Sequence, residues 1–182
     1  MRFLVLIPLL LTFVPSLSAT VLIPSEFREI VSGSQIIVHG RVSAIRAEWI
    51  DGRRRIESVV TIEASSFYRG TSARTVTFRV PGGQIGRYKS VTVGAPEFAA
   101  GDEVVLFLKA QGPAVPQVFG LNQGVFRVHV DRRTGRRTVT QPIVMARGAA
   151  PEPVLRGARD RLPLPLDQFA GQIRTVLQGG AR

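Results

Sequence analysis

The chain has 182 residues and no cysteine, and it carries 24 lysines and arginines against 13 acidic residues, for a formal net charge of +11. The lack of cysteine excludes disulfides, thiol catalysis, zinc–thiolate sites and a lipid-modified N-terminal cysteine. Every basic residue except Lys89 and Lys109 is an arginine. Codon bias explains a preference for arginine, but it does not explain the shortage of acids, so the charge favours an anionic partner.

Residues 1–18 are predicted to be a secretory signal peptide. Arg2 precedes an apolar run over residues 3–14, and Pro15 and small residues follow it. The run is shorter than the roughly 20 residues of a membrane-spanning helix and is typical of a signal that is cleaved, here after Ser18; an uncleaved anchor is the alternative. Because exported proteins without disulfides are ordinary in bacteria, we expect a periplasmic or secreted bacterial protein with no transmembrane segment after cleavage.

The mature chain begins with a predicted short helix over residues 26–32. Ser25 is its expected N-cap and Gly33 its stop. Its apolar face comprises Phe27, Ile30 and Val31. Beyond this point the apolar pattern changes from the helical period to the alternation of β-strands.

Alternation and turn signals predict seven or eight antiparallel strands. Asp51-Gly52 is a strong hairpin signal between the first two, and the apolar run 103–108 is typical of a strand buried on both faces. The predicted strands cover residues 36–45 with an extension to 50, 55–67, 75–80, 91–93, 103–108, 118–119, 125–130 and 138–145.

A linker rich in Gly, Ala, Pro and Arg is predicted over residues 146–165, and an amphipathic helix over residues 166–178. The expected fold is mainly β: an OB-like antiparallel barrel within residues 19–145, with the short N-terminal helix and the C-terminal amphipathic helix beside it. An all-β chain of this length protects its strand edges by closing a barrel or by stacking two sheets; the barrel is our prediction.

Groups able to perform catalysis or bind metal are few. His39 and His129 each lie on the polar side of an alternating strand, beside an arginine, so we expect solvated or lightly hydrogen-bonded histidines outside the core, and neither a metal nor a cofactor. No Gly-x-Ser-x-Gly elbow is present. The glycine-rich segment 81–87 lacks the ending of a phosphate-binding loop and is predicted to be flexible.

Arginine clusters at two hairpin tips are the candidate binding residues. Exposed guanidinium groups there could bind phosphate, sulfate or anionic lipid. Few aromatic residues accompany them, Trp49 being the nearest, so single-stranded nucleic acid is not the expected partner. The predicted polyanion-binding residues are Arg53, Arg54, Arg55, Arg132, Arg133, Arg136 and Arg137.

Three short motifs occur in a recognisable order: Gly40-Arg41-Val42 within a strand, Tyr68-Arg69-Gly70 after a hairpin, and the apolar run that follows Gly101. This order, over residues 34–130, resembles the netrin modules and the TIMP-like metalloprotease inhibitors. The resemblance implies an OB-type barrel. Those inhibitors coordinate the catalytic zinc of a protease through a mature N-terminal cysteine. Their mechanism therefore does not carry over to a chain without cysteine.

These observations predict an exported, non-enzymatic binding or interaction module. Its expected partner is an anionic polymer of the cell envelope, a lipid surface or another secreted protein. Two alternatives are a secreted hydrolase with a dispersed site that uses His39 or His129, and a partner or inhibitor of a co-secreted protease.

Overall fold

The computed structural model describes residues 23–110, 112, 114–142 and 163–179. The predicted signal peptide and residues 146–162 of the predicted linker lie outside these described residues. The elements in chain order are α1 (Phe27–Ser32), β1 (Ile36–Ile50), β2 (Arg55–Arg69), β3 (Thr75–Pro81), β4 (Gly83–Ile85), β5 (Tyr88–Ser90), β6 (Glu103–Lys109), β7 (Gln117–Val118), β8 (Val125–Val130), β9 (Arg137–Thr140), β10 (Leu164–Pro165) and α2 (Leu166–Gly179).

Eight strands form one sheet in the order β1-β2-β3-β7-β6-β8-β9-β10, while β4 and β5 pair only with each other. β6 also pairs with β1, so the pairings lead back to the first strand. The return passes through β7, which joins β3 by a single parallel pair, Arg79 with Gln117. The sheet ring is therefore uneven. The mainly β class and both flanking helices are confirmed, whereas the closed OB-like barrel stays a prediction.

β1 and β6 are the wall between two hydrophobic cores. Successive side chains of a strand point to opposite faces, so Val104, Leu106 and Leu108 enter one core and Val105 and Phe107 the other. All five side chains are fully buried. The predicted burial of this strand on both faces is confirmed.

The first core lies among β1, β2, β3 and β6, and the second lies between the other face of the sheet and the two helices. The first contains Val38, Val42, Val60, Ile62, Val76, Phe78, Val80, Val104, Leu106, Leu108, Val118 and Val125. The second contains Ile30, Val31, Ile37, Val105, Phe107, Phe119, Phe126, Val128, Val139, Phe169 and Ile173.

Both helices pack on the second core. Ile30 and Val31 of α1 and Phe169 and Ile173 of α2 are buried there, as their helical spacing predicts. Phe27 completes an aromatic cluster with ring centroids 5.5 Å from Phe169. Neither helix of the described ranges has the length and apolarity to cross a membrane.

The Arg69 side chain ties β2 to the end of α1. Its Nη1 group donates to the carbonyl oxygens of Val31 at 3.0 Å, Ser32 at 3.2 Å and Ser34 at 2.9 Å. The last carbonyls of a helix have no partner within the helix. The arginine of the Tyr68-Arg69-Gly70 motif therefore serves as a structural cap for α1.

The predicted N-cap is wrong. Glu26, not Ser25, is the N-cap of α1, and its N–H donates to the Glu29 carboxylate at 3.1 Å. The N–H of Ser25 instead donates to the Oε1 atom of buried Gln123 at 2.6 Å. This contact joins residues that are 98 positions apart, and local sequence reasoning had no means of finding it.

Two further local predictions are wrong. The segment 81–87, predicted to be a flexible loop, contributes the strand β4 to a hairpin with β5. Residues 91–93, predicted to be a strand, form no strand, and Val93 is 90% exposed. The alternation of Val91 and Val93 was misleading because no neighbouring strand pairs with them in the described sheets.

Gly40 is required by the close approach of β1 to β2. A Cβ atom at this position would collide with the backbone carbonyl oxygen of Glu63. We expect Gly40→Ala to lower the free energy of unfolding by about 1–3 kcal/mol, the usual cost of overpacking. Gly171→Ala is the matched control, since a Cβ atom there meets nothing within 4 Å and alanine favours a helix by roughly 0.5–1 kcal/mol. Urea unfolding of both variants tests this, and equal stability would contradict it.

Candidate functional site

The β1–β2 hairpin exposes three predicted binding residues, Arg53, Arg54 and Arg55. Asp51, Gly52 and Arg53 all have positive φ angles, of 53°, 61° and 66°. Such a run makes a tight, left-handed tip, and it holds the arginine side chains away from the body of the domain. The predicted exposure of this cluster is confirmed.

The β4–β5 hairpin lies against the same end of the β1–β2 ribbon. A Cβ atom on Gly83 would lie 2.8 Å from Ser58 Oγ and 3.4 Å from the Ala47 side chain, so the glycine permits close contact. Next to this contact the rings of Trp49 and Tyr88 meet edge to face, with centroids 5.5 Å apart. Trp49 is the aromatic residue that the sequence placed nearest to the arginine clusters, and Tyr88 is its partner in the structure.

The β4–β5 hairpin carries two further cations. Arg87 lies over the Tyr88 ring, 5.2 Å from its centroid, and Lys89 is exposed in β5 and borders a groove beside Ile45 and Ser58. We call the resulting surface the distal basic surface. It consists of Trp49, Arg53, Arg54, Arg55, Arg87, Tyr88 and Lys89.

Few acidic side chains neutralise the positive charge of the distal basic surface. Asp51 is the acid at the tip, and its carboxylate lies 3.9 Å from Arg55 Nε, both side chains being more than half exposed. Glu48, which is nearby, is already paired with Arg79 at 2.8 Å. Five cations thus face one loosely paired carboxylate, and an exposed pair of this kind contributes little binding energy of its own.

The second arginine cluster has a different structure. Asp131 holds the β8–β9 turn by accepting hydrogen bonds from the backbone N–H groups of Arg133 at 2.8 Å and Thr134 at 3.0 Å. These bonds, the one from Thr134 first, hold the pKa of Asp131 below its ordinary value of 3.8. The side chains of Arg132, Arg133 and Arg136 are exposed, as predicted.

The two tips lie at the same end of the sheet but at different levels. β8 and β1 both run antiparallel to β6, and Val128 and Arg41 both pair with Glu103, so Val130 at the end of β8 is level with Ser43 of β1. Asp51 at the first tip lies eight residues further along β1, roughly 26 Å if the strand is fully extended. The second tip is therefore nearer the body of the sheet than the distal basic surface.

Arg137, one of the seven predicted residues, takes part in a buried ion cluster around Glu103. The Glu103 side chain is only 7% exposed. Its carboxylate accepts from Arg137 Nε at 3.0 Å, from Arg41 Nη2 at 3.2 Å and from His39 Nε2 at 2.9 Å. A carboxylate can only accept, so His39 carries its proton on Nε2 in this contact. The cluster satisfies the charge of a buried acid with three donors.

His39 is buried, and its predicted exposure to solvent is wrong. Its strand does alternate, but the face that carries His39 is the one on which α1 and α2 pack, where Ile37 enters the second core. His39 therefore lies at the rim of this core and is 7% exposed. The alternation of the sequence identified His39 as a polar position, but it did not show that the helices α1 and α2 cover that face of the strand.

The two histidines lie on opposite faces of the sheet. His39 lies opposite Val105, which pairs with Phe126, and both of these belong to the second core. His129 is an odd number of residues from Phe126 in β8, so its side chain points to the other face. The two imidazoles therefore do not converge on one site. Of the two, only His39 has a carboxylate within hydrogen-bond distance among the described residues.

The described residues contain no group of three or more His, Asp or Glu side chains that could hold a metal ion. Comparisons of the chain with protein-family models, with curated proteins and with solved structures found no match.

Neutralising Glu103 tests the buried cluster. We expect Glu103→Gln to lower the free energy of unfolding by about 1.5–3 kcal/mol, because hydrogen bonds between charged groups are lost and a buried amide replaces the ion. Glu63→Gln is the control, since Glu63 is exposed and has no ion-pair partner among the described residues. Chemical denaturation measures both, and a difference below about 0.5 kcal/mol, the range of ordinary surface substitutions, would contradict the interpretation.

The turn around Asp131 predicts a pH dependence. Because the pKa of Asp131 is lowered in the folded protein, its hydrogen bonds stabilise the fold above pH 3.8 and this contribution is lost as the pH falls through the folded pKa. Carboxyl carbon NMR should show Asp131 titrating below 3.8 in the native protein and near that value in urea. Equal midpoints in the two states would show that the turn does not favour the ionised form.

Proposed function

We propose that this protein is an exported, non-enzymatic module that binds an anionic polymer. The observation that carries the proposal is the distal basic surface, where five cations and two aromatic rings meet with one loosely paired acid. Guanidinium groups form charge-assisted hydrogen bonds to phosphate, sulfate and carboxylate. The net positive charge of the chain adds a long-range attraction towards the same class of partner.

The distal basic surface supports this function better than the second tip does. Arg137 at the second tip is held by Glu103, and Asp131 adds a negative charge within the turn. At the distal surface the exposed Tyr88 ring also offers a face for stacking and, with Arg87, a cation–π pair. The proposed partner is therefore a polymer that presents acidic groups next to ring faces.

The proposal includes the fold and location. We propose that the ring β1-β2-β3-β7-β6 is an OB-like barrel of the netrin-module kind; the order of its pairings and the two-sided burial of β6 support this. The predicted signal peptide supports a periplasmic or secreted location. An anionic polymer of the envelope would be within reach of such a protein.

Retention on a sulfated polysaccharide matrix tests the binding function. We expect the wild-type protein to elute at a salt concentration well above that of the Arg53→Ala, Arg54→Ala, Arg87→Ala variant, because each lost cation removes a screened attraction. The control variant Arg132→Ala, Arg133→Ala removes charge from the second tip and should elute close to the wild type.

The comparison of the two variants separates specific binding from net charge. If the salt concentration of elution falls by the same amount per charge removed in both variants, the distal basic surface has no special role. If neither variant shifts, the polyanion proposal is wrong. Binding to anionic vesicles but not to the polysaccharide would show a lipid surface to be the partner instead.

A further inference from the structure

A groove beside the His39–Glu103 cluster is large enough to hold a small molecule. It has a volume of about 680 Å³, within the roughly 300–1,000 Å³ typical of ligand sites. β1, β2, the start of β9 and the first turn of α2 border it. The residues used below are His39, Ser66, Tyr68, Arg136, Arg137 and Asp167.

The groove contains a buried imidazole in a fixed orientation. Glu103 holds the Nε2 side of His39 at 2.9 Å, and no hydrogen bond joins Nδ1 to another of the described residues. The side chain is more than nine-tenths buried, yet it borders the groove. A carboxylate that orients one ring nitrogen is a common way to present the other nitrogen to a ligand.

Two guanidinium groups border the same groove with unused donors. Arg137 uses Nε for Glu103, and its two terminal nitrogens form no hydrogen bond to another of the described residues. Arg136 is exposed and pairs with no carboxylate among the described residues. The planar arrangement of guanidinium donors matches the two oxygens of a carboxylate or phosphate.

The carboxylates of Glu103 and Asp167 do not offset the positive charge that Arg136 and Arg137 bring to the groove. Glu103 already accepts from His39, Arg41 and Arg137, so its charge is compensated. Asp167 is exposed in the first turn of α2, where the helix dipole favours a carboxylate. Ser66 lies opposite His39 in the β1–β2 register and adds a hydroxyl group to the polar wall.

The rest of the lining is largely apolar. Tyr68 of β2 and Pro165, Leu166 and Ala170 around the start of α2 border the groove. A ligand that combines an oxyanion with an apolar body would thus find partners for both of its parts. This combination is typical of small-molecule sites, where a few polar groups set orientation within a largely apolar lining.

We propose that this groove is a second binding site, which takes a small molecule carrying a carboxylate or phosphate group next to an apolar body. Arg136 and Arg137 bind the oxyanion, and His39 Nδ1 accepts from a donor of the ligand or from its bound water. None of its lining residues belongs to the distal basic surface. The proposed site therefore does not depend on polymer binding there.

NMR titration of the full mature chain tests the site with two probes, inorganic phosphate and benzoate. Saturable shifts of the His39 ring and Arg137 Nε–H signals, at dissociation constants on the order of 1 mM, are the expected result with at least one probe. Saturation by phosphate alone would assign a phosphate ligand, and saturation by benzoate alone an aryl carboxylate. Unsaturable or absent shifts with both probes would overturn the proposal.

Variants make the test specific. We expect Arg136→Ala to weaken binding about tenfold through the loss of a charge-assisted contact, and Arg136 is exposed, so its removal leaves the core intact. His39→Gln should weaken binding as well, with His129→Gln as its matched control on the opposite face. Wild-type affinity in Arg136→Ala would overturn the proposal, even if His39→Gln failed to fold.

The outcome is distinguishable from that of the polymer-binding test. The Arg53→Ala, Arg54→Ala, Arg87→Ala variant should titrate with benzoate and phosphate as the wild type does. Loss of the His39 shifts in that variant would show that the small anions bind to the distal basic surface, and the groove proposal would then be wrong.

Discussion

The pairing of β1 with β6 is the contact on which the rest of the structure depends. It runs without interruption from Ile36 with Leu108 to Arg41 with Glu103, and each strand supplies both hydrophobic cores. Because residues alternate between the two faces, moving one strand by a single residue would exchange the side chains that it offers to the two cores. Packing in both cores therefore favours the same register. Each core stabilises the β1–β6 pair, on which the other core also packs.

The end of this wall explains the buried charge. On the face of the second core, Val105 is the last apolar residue of β6, and Glu103, Arg41 and His39 occupy the rim. The acid is buried, but both arginines that contact it are more than half exposed, so they remain hydrated while they neutralise it. The cluster closes the rim of the second core, and its members His39 and Arg137 also border the adjacent groove.

β1 leaves β6 after Arg41 and continues with β2 as a long ribbon. β3 pairs with β2 along most of this ribbon, from Glu57 with Pro81 to Glu63 with Thr75. At the distal end the β4–β5 hairpin adds contacts through Gly83 and the Trp49–Tyr88 pair. The same hairpin carries Arg87 and Lys89, so the packing that supports the end of the ribbon also contributes to the distal basic surface.

Local patterns in the sequence determined the helices, most of the strands, the two arginine-bearing tips and the double burial of β6. They did so because helix period, strand alternation and turn residues act over a few positions. Only the tertiary structure decided which polar residues are covered, since α1 and α2 bury His39 from parts of the chain that are distant in sequence. It likewise decided that Tyr88 meets Trp49 and that Arg137 meets Glu103, because such pairs depend on how separate hairpins pack and not on any local pattern.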